Sequence, residues 1–248
     1  MKLFGKIGTT GCELSASERE RYSRQIMLDD NGEQAQRALK NAAVLVVGAG
    51  GLGSAVLPYL VGAGVGRIGI VDDDVISLSN LQRQILYETS HIGQSKAERA
   101  TERVSALNPE IRIDTYNTRF TSENAIEILT PYQLIIDCTD NIPARHVIDH
   151  ASRETRKPFI YGSLCEYTGQ ISVFNYRNAP AYADIFPRSS ETKPFTQSLG
   201  VFGAIAGIVG SIQAMEAIKI LIGAEDTLAG HLLLIDMRTY GFRKVKMG

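Results

Sequence analysis

A glycine-rich segment holds the first residues whose types and spacing point to chemistry. The sequence GAGGLG at residues 48–53 fits the pattern G-x-G-x-x-G and lies between a predicted strand and a predicted helix. Gly48 would allow a tight turn, Gly50 would let the backbone approach a phosphate, and Gly53 would let the helix pack on the strand. The helix offers free N–H groups and the positive end of its dipole to an anion. The segment therefore predicts a phosphate cradle, and a ligand-free glycine turn is the alternative.

A second segment, DDDVISLSNLQRQ at residues 72–84, follows the short apolar run RIGIV. Asp72 ends this predicted strand, nineteen residues after Gly53, where an acid binds ribose hydroxyls in nucleotide-binding folds. Arg83 could hold phosphate oxygens with two parallel hydrogen bonds. The other polar side chains of this loop are Ser79, Asn80, Gln82 and Gln84. The segment predicts contacts to the sugar and the phosphates of a nucleotide.

Two further residues favour chemistry at phosphate over hydride transfer. Lys96 begins a predicted helix, where its charge opposes the helix dipole, and a bound phosphate would compensate it. Asp140 follows a buried strand predicted at 133–139, at the sheet edge where ligands bind, and its carboxylate could hold magnesium. The plainer alternatives are solvated surface charges for Arg83 and Lys96, and a helix cap for Asp140.

The elements that must position these residues alternate regularly along the chain. Apolar runs alternate with amphipathic segments of helical length, which is typical of βαβ units. Right-handed crossovers make the expected class a doubly wound (Rossmann-like) α/β fold, with a mostly parallel sheet and helices on both faces. The strands are predicted at 42–48, 67–72, 111–117 and 133–139, with at least two more in 158–176, and the helices at about 52–63, 96–108, 122–132 and 142–157.

We expect a single domain over residues 1–248. Two short N-terminal helices, with Ser15 or Ser17 as N-cap, precede the nucleotide-binding core. A proline-rich polar segment later predicts a long loop, and a long helix and the final strands follow. The expected boundaries are 14–40 for the N-terminal helices, 42–175 for the core, 177–200 for the loop and 201–248 for the final part.

Composition excludes several classes of protein. The chain has 248 residues, 44% of them hydrophobic, and its net charge of −1 argues against nucleic-acid or membrane-surface partners. Three widely spaced cysteines and no signal-peptide pattern predict a reducing, cytoplasmic location. The apolar stretch 204–223 carries Gln213, Glu216 and Lys219 along one helical face, which predicts a buried or interface helix rather than a bilayer span.

The motifs resemble those of the E1-like adenylating enzymes, the ThiF/MoeB/HesA group. The resemblance runs from about Leu14 to Lys246, with the motifs in the family's order. They are RYSRQI (21–26), GAGGLGS, DDDVISLSNLQRQIL, GQSKAE, the NP pair at 108–109, DCTDN (137–141) and GSIQAMEAIK. In that family, the C-terminal glycine carboxylate of a small β-grasp carrier attacks the α-phosphate of MgATP, and pyrophosphate leaves. Sulfur then displaces AMP from the resulting carrier acyl-adenylate to give a thiocarboxylate.

The resemblance implies roles for particular residues. Asp72 would hold the ribose, while Asn80, Arg83 and Lys96 would bind the phosphates. Arg24 would reach the ATP of the partner subunit of a homodimer, and Asp140 would position Mg²⁺. Arg24, Arg83, Lys96 and Asp140 are the catalytic residues so implied, and the nucleotide site comprises Gly48, Gly50, Gly51, Gly53, Asp72, Asp74, Ser79, Asn80, Gln82, Arg83, Lys96, Asp140 and Asn141.

The chain departs from the family in two places. Many bacterial members hold zinc with two C-x-x-C pairs, but this chain reads AYAD at 181–184 and has no second pair, so we expect no structural zinc. The family's crossover loop, here 177–200, often carries a cysteine, whereas this one has Thr196 to Ser198 near that place. Cys138 is predicted to be a buried core residue, and the reactivity of Cys165 is left open. We therefore expect a separate persulfide donor to supply the sulfur.

Four functions are compatible with these residues. The first is adenylation of a sulfur carrier ending in Gly-Gly, for thiamine or molybdopterin synthesis, with DDD and LQRQIL leaning towards thiamine. The second is adenylation of another carboxylate, on a peptide or a tRNA. The third is a nicotinamide-dependent oxidoreductase, which leaves Arg24, Arg83, Lys96 and Asp140 without a task. The fourth is a non-catalytic scaffold that retains the fold.

Overall fold

A computed structural model describes residues 13–28, 32–188 and 200–247. One sheet contains all the strands of these ranges, in the order β3-β2-β1-β4-β5-β6-β7-β8. Strands β1 to β5 are parallel, and β6, β7 and β8 continue the sheet antiparallel. The strands are β1 Ala43–Val47, β2 Arg67–Val71, β3 Arg112–Tyr116, β4 Leu134–Asp137, β5 Phe159–Cys165, β6 Thr168–Phe174, β7 His231–Asp236 and β8 Gly241–Lys246.

Helices cover both faces of this sheet. They are α1 Ala16–Arg21, α2 Ser23–Ile26, α3 Gly32–Lys40, α4 Gly53–Ala63, α5 Lys96–Leu107, α6 Ala125–Leu129, α7 Ile142–Thr155, α8 Tyr182–Ile185 and α9 Gly203–Leu221. Successive side chains of β1 point to opposite faces, so Val44 and Val46 join the apolar cluster under α4 and α9, while Leu45 and Val47 join the one under α6 and α7. The predicted doubly wound fold is confirmed.

The structure refines several predicted elements. The region 14–40 contains three helices rather than two, and Ser15 caps the first through a capping box with Glu18, as the sequence predicted. The helix predicted at 122–132 is shorter, at Ala125–Leu129. The loop predicted at 177–200 is not wholly irregular, because α8 lies within it, and its Thr196 to Ser198 are outside the described residues.

Helix α9 is long and apolar enough to cross a membrane by length and composition. Its Gln213 and Glu216 are nevertheless buried, and the helix packs along α4, β5 and β6. Gln213 donates from Nε2 to the carbonyl oxygen of Asp137 at 2.7 Å, and Glu216 accepts from the backbone N–H of Leu228 at 2.7 Å. These are the contacts of a core helix, in agreement with the prediction of a buried helix.

Candidate active site

The register of three parallel strands brings the predicted motifs to one edge of the sheet. Val47 at the end of β1 pairs with Val71 of β2 on one side and with Asp137 of β4 on the other. The segments after these strands carry the glycine loop, Asp72 and Asp140 respectively. Because the three strands end at the same level, the three segments leave the sheet side by side, at the edge where open α/β sheets bind ligands.

The first and last glycines of the loop are required by the backbone. Gly48 has a φ of 100°, and a Cβ there would lie 2.5 Å from the carbonyl oxygen of Cys138. A Cβ on Gly53 would lie 2.4 Å from the carbonyl oxygen of Gly48. Any side chain at either position would push the loop away from the end of β4 or from the start of α4.

The two middle glycines have more room around them. The nearest atom to a Cβ on Gly50 would be Nε2 of Gln84 at 3.5 Å, an ordinary van der Waals contact. A Cβ on Gly51 would meet Ala206, in the first turn of α9, at 3.2 Å, and Cγ of Arg83 at 3.5 Å. The loop therefore faces both the Arg83–Gln84 pair and α9, and Gly50 is not demanded by packing.

Asp72 connects the glycine loop to the segment after β2. Its Oδ2 accepts from the backbone N–H of Ala49 at 2.7 Å, and its Oδ1 accepts from that of Asp74 at 2.9 Å. Burial raises the pKa of Asp72, although these two hydrogen bonds and the charge of Lys96 oppose the shift. Each carboxylate oxygen has a second lone pair, so both can still accept from a ligand hydroxyl.

Tyr87 contacts both the glycine loop and the start of α5, a role that the sequence did not predict. Its buried hydroxyl lies 2.7 Å from the carbonyl oxygen of Ala49 and 3.2 Å from that of Lys96. Burial raises the pKa of Tyr87 well above its ordinary value, so the hydroxyl stays protonated as a donor. A single tyrosine in the run QILYE carries no sequence signal for this role.

The loop from Ser77 to Gln84 is ordered by its own polar groups. Asn80 Oδ1 accepts from the backbone N–H of Ser77 at 3.3 Å, and the hydroxyls of Ser77 and Ser79 lie 3.1 Å apart. Arg83 donates from Nη1 to the carbonyl oxygen of Ser79 at 3.0 Å, and Gln82 donates from Nε2 to that of Val201 at 3.4 Å. The structure thus places Asn80 and Arg83, but not Lys96, in one turn. Of the five N–H donors of the Arg83 guanidinium, one is used by Ser79 within the described residues.

Lys96 forms an ion pair that the sequence analysis did not anticipate. Its side chain is 7% exposed, and its Nζ lies 2.9 Å from Oδ2 of Asp74. Asp74 therefore compensates the charge for which a phosphate was predicted. An ammonium has three donors, and one of them is used by Asp74, so a phosphate contact by Lys96 stays a prediction.

Asp140 and Asn141 lie next to each other before α7, but only Asn141 caps this helix. Asn141 is the N-cap of α7 and accepts from the backbone N–H of Ala144 at 2.9 Å. The alternative that Asp140 caps this helix is therefore wrong. Asp140 is exposed, its one hydrogen bond in the described residues is from Asn141 Nδ2 at 3.3 Å, and no salt bridge there involves it.

The surroundings of Asp140 decide how a metal ion could bind. Mg²⁺ keeps several waters and takes one or two carboxylates plus substrate phosphates rather than a cage of protein ligands. The described ranges hold no group of three or more His, Cys, Asp or Glu residues able to hold a metal ion. A lone, uncommitted carboxylate at the ligand edge fits a magnesium ion that arrives with a nucleotide.

The buried end of β4 fixes the segment that carries Asp140. The fully buried Asp137 pairs with Arg145, with Oδ2 and Nε 3.2 Å apart, and its Oδ1 accepts from both the backbone N–H and the hydroxyl of Thr139. Arg145 also donates to the carbonyl oxygen of Thr139 at 3.3 Å. These contacts hold the turn immediately before Asp140.

The remaining predicted residues lie in different environments. Arg24 is exposed on α2, within the N-terminal part of the chain. Cys138 is buried, as predicted, and burial raises the pKa of its thiol well above the ordinary value, so it does not form a thiolate at neutral pH. Cys165 is half-buried at the end of β5.

The AYAD segment (181–184), where the family resemblance implies one of the C-x-x-C pairs of many members, forms most of α8. The buried Asp149 of α7 accepts from the backbone N–H groups of Tyr182 at 3.0 Å and Ala183 at 3.3 Å, and from Asn175 Nδ2 at 3.0 Å. The ring of Tyr182 packs against Phe186, with the ring centroids 5.0 Å apart. A carboxylate and an aromatic cluster therefore hold this segment. That no zinc is bound stays a prediction.

A cavity of about 320 Å³ lies elsewhere, around the loop before β7. It is lined by residues that include Arg177, His231 and Lys244 together with Glu225 and Asp226. None of its lining residues belongs to the predicted nucleotide site. We assign the site from the strand ends and the glycine loop rather than from this cavity, whose lining mixes both charges.

The doubly wound sheet, with a glycine loop at its carboxyl edge, defines an α/β protein of the nucleotide-binding class. The sequence model of the ThiF family matches residues 22–248. That match covers nearly the whole chain, and the chain belongs to the ThiF family. The resemblance to E1-like adenylating enzymes is confirmed.

Several named proteins are similar in sequence to this chain over nearly its whole length. The sulfur carrier protein adenylyltransferase of Thermus thermophilus is 45% identical over 235 residues, which are 92% of this chain and 87% of that protein. The adenylyltransferase and sulfurtransferase MOCS3 of Anopheles gambiae is 44% identical over 95% of this chain, but the chain spans only 54% of that relative. A probable molybdopterin-synthase adenylyltransferase of Porphyra purpurea is 44% identical over 94% of this chain and 62% of its own length.

Solved structures share the fold. The crystal structure of MccB from E. coli superposes with a TM-score of 0.82 at 18% identity, covering 95% of this chain and 71% of that chain. The crystal structure of PaaA superposes with a TM-score of 0.81 at 22% identity, covering 99% of this chain and 78% of that chain. At these identities the likeness shows the architecture alone.

Proposed function

We propose that the protein uses MgATP to adenylate the C-terminal glycine carboxylate of a small ubiquitin-like sulfur carrier. The observation that carries the proposal is the meeting of the glycine loop, Asp72, the Arg83 turn and Asp140 at one sheet edge. It is supported by 45% identity to a protein named for this activity. The absence of a nucleic-acid or membrane partner stays part of the proposal, as does a cytoplasmic location.

Each residue at this edge has a task that its environment allows. Asp72 would accept from the ribose hydroxyls through its free lone pairs, and the N–H groups after Gly50 would face the phosphates. Arg83 and Lys96 would neutralise charge on the leaving pyrophosphate. Asp140 would hold a magnesium ion, which supplies further charge neutralisation at the phosphates when bound.

The reaction needs no general base from the protein. The carrier carboxylate is already ionised at neutral pH, and one of its oxygens attacks the α-phosphorus. The bond to the β-phosphate oxygen breaks, pyrophosphate leaves, and a carboxyl–AMP anhydride forms. The protein's contribution is to align carboxylate and phosphate and to stabilise the charge that develops.

Sulfur would then arrive from outside this chain. The terminal sulfur of a donor persulfide attacks the carrier carbonyl and AMP leaves, which gives an acyl disulfide that a thiol reduces to the thiocarboxylate. The buried, protonated Cys138 is not suited to this step. Trapping a carrier disulfide or thioester on Cys165 would contradict the proposal of a separate donor.

The test is carrier-dependent exchange of labelled pyrophosphate into MgATP, measured with a panel of carriers ending in Gly-Gly. We expect exchange that depends on the carrier and falls at least about 100-fold in Asp140→Ala, which removes a transition-state contact. The best carrier would distinguish the thiamine branch from the molybdopterin branch. Exchange with free peptides only would indicate another carboxylate. Binding of NADH without ATP would indicate an oxidoreductase, and no exchange at all would favour a scaffold.

A further inference from the structure

Gln84 is a buried polar residue whose side chain the fold does not use fully. It is 4% exposed, directly after Arg83, and its Oε1 is buried without a hydrogen-bond partner in the described part of the chain. Buried polar atoms are almost always paired, so the unpaired acceptor shows that packing alone does not select a glutamine at this position. An aliphatic side chain of similar size would avoid the unpaired atom altogether.

The other end of the amide, the donor Nε2, lies beside the glycine loop. The atom nearest to the missing side chain of Gly50 is Nε2 of Gln84, 3.5 Å from where a Cβ would be. Gly50 is the loop glycine at which backbone approaches phosphate in this type of fold. The neighbouring Arg83 contacts Gly51 in the same way, with Cγ 3.5 Å from the ideal Cβ position. The two side chains therefore lie along the open side of the glycine loop.

The backbone holds Gln84 in this place. Its N–H donates to the carbonyl oxygen of Asn80 at 3.0 Å, and its own carbonyl oxygen accepts from Tyr87 N–H at 3.2 Å. The Tyr87 hydroxyl in turn reaches the carbonyl oxygen of Ala49 in the loop. A turn anchored at both ends presents the amide to the loop without a large loss of entropy on binding.

We propose that the Gln84 side-chain amide donates a hydrogen bond to a polyphosphate oxygen of the bound nucleotide, beside Gly50. This assignment rests on the proposed nucleotide-binding function. Phosphate oxygens only accept hydrogen bonds, so the NH₂ group is the end of the amide that they select. The contact adds a neutral donor to the cations Arg83 and Lys96.

The experiment compares Gln84→Leu with the wild-type chain by calorimetric titration of MgATP and of adenosine, and by thermal unfolding without ligand. The matched control is Gln94→Leu, because Gln94 is exposed and its side-chain amide donates to the carbonyl oxygen of Ser90 in its own loop. We expect MgATP to bind Gln84→Leu about tenfold more weakly, as for the loss of one hydrogen bond to a charged group, with adenosine affinity unchanged. The unfolding temperature should be unchanged or higher, because the unpaired atom is gone.

Four other outcomes would overturn the assignment. Wild-type affinity for MgATP in Gln84→Leu, with or without a lower unfolding temperature, would give Gln84 a structural role and leave the proposed function standing. Weaker binding of MgATP and adenosine alike would mean a general distortion of the site. No binding of MgATP by the wild-type chain would remove both proposals. If the leucine variant does not fold, Gln84→Met is measured in the same way, and failure of both to fold counts as a structural role.

Discussion

Among single residues, the glycines of the loop 48–53 show how a single motif combines two requirements. A side chain on Gly48 would meet the backbone of Cys138, whereas one on Gly50 would meet only the end of Gln84. The backbone conformation and the close contact favour glycine at the first position, and the second leaves space that the fold itself does not need. The motif assigned the tight turn to Gly48 and the phosphate approach to Gly50, and the packing adds the contact distances that distinguish the two positions.

Replacing Gly50 by alanine should therefore separate binding from stability. We expect the free energy of unfolding to change by less than about 1 kcal/mol, because the added methyl makes an ordinary contact. MgATP affinity should fall at least tenfold, because the methyl occupies the phosphate approach. Urea unfolding and calorimetric titration would measure the two effects. Unchanged ATP affinity would contradict the placement of phosphate at Gly50.

Gly48→Ala should have the opposite result. The positive φ alone costs about 1–2 kcal/mol for an alanine, and the contact with the carbonyl oxygen of Cys138 adds to it. Gly93→Ala is the matched control, since Gly93 has a φ of 86° but nothing within 4 Å of a Cβ. Urea unfolding should show a clearly larger loss for Gly48→Ala. Equal losses would mean that the loop yields easily and that β1 and β4 do not fix it.

The pH dependence of ribose binding should report the environment of Asp72. Burial raises the pKa of Asp72 above the ordinary 3.8, so the carboxylate gains a proton at a higher pH than a solvated aspartate does. Adenosine affinity should fall as the pH decreases through this raised pKa, while Asp72→Asn should bind weakly with no such dependence. The free energy of unfolding depends on pH in the opposite direction. The stabilising contribution of Asp72 is fully present below the ordinary pKa, and it is lost as the pH rises through the raised pKa of the folded state. Identical pH profiles for the two proteins would exclude Asp72 from the ribose contact.

Among the secondary-structure elements, the strongly patterned segments were predictable and the short ones were not. The buried runs of β1, β2 and β4 and the helix α9 follow from apolar periodicity. Helix α8 is different, because its four residues have no helical pattern of their own and are held by Asp149 and Phe186. Such tertiary contacts are invisible in the local sequence, which is why the region was predicted to be a loop.

Asp149→Ala should destabilise the protein selectively around α8. The substitution removes the acceptor of two backbone N–H groups and of Asn175, so we expect a loss of about 2–4 kcal/mol in the free energy of unfolding. Glu154→Ala, an exposed acid on the same helix α7, should change it by less than about 0.5 kcal/mol. Chemical unfolding of both variants is the measurement. A similar small effect for both would show that α8 is held by its aromatic contacts alone.

For the molecule as a whole, the position of Arg24 raises the question of the working unit. Arg24 is exposed on α2, and the family resemblance implies that it completes the site of a partner subunit. Fold and family were predictable from the ordered motifs. The contribution of a second copy cannot be derived from one chain, because it depends on which surface of the first copy the second copy contacts.

A mixed dimer tests this shared site. Arg24→Ala and Asp140→Ala should each be inactive in pyrophosphate exchange. A heterodimer of the two, purified through different affinity tags, should recover about half of the wild-type rate, because one of its two symmetric sites is then intact. An inactive heterodimer would mean that Arg24 acts within its own subunit or not at all.

The central claim, adenylation of a carrier carboxylate, is tested most directly by intact mass spectrometry of the carrier. The purified protein, MgATP and the best Gly-Gly carrier are mixed without any sulfur donor, and Asp140→Ala serves as the control. We predict a carrier that has gained one adenylyl group at its C-terminal glycine, formed together with pyrophosphate and absent in the control. An unmodified carrier with every candidate, or a product formed with ADP and phosphate instead of pyrophosphate, would contradict the account.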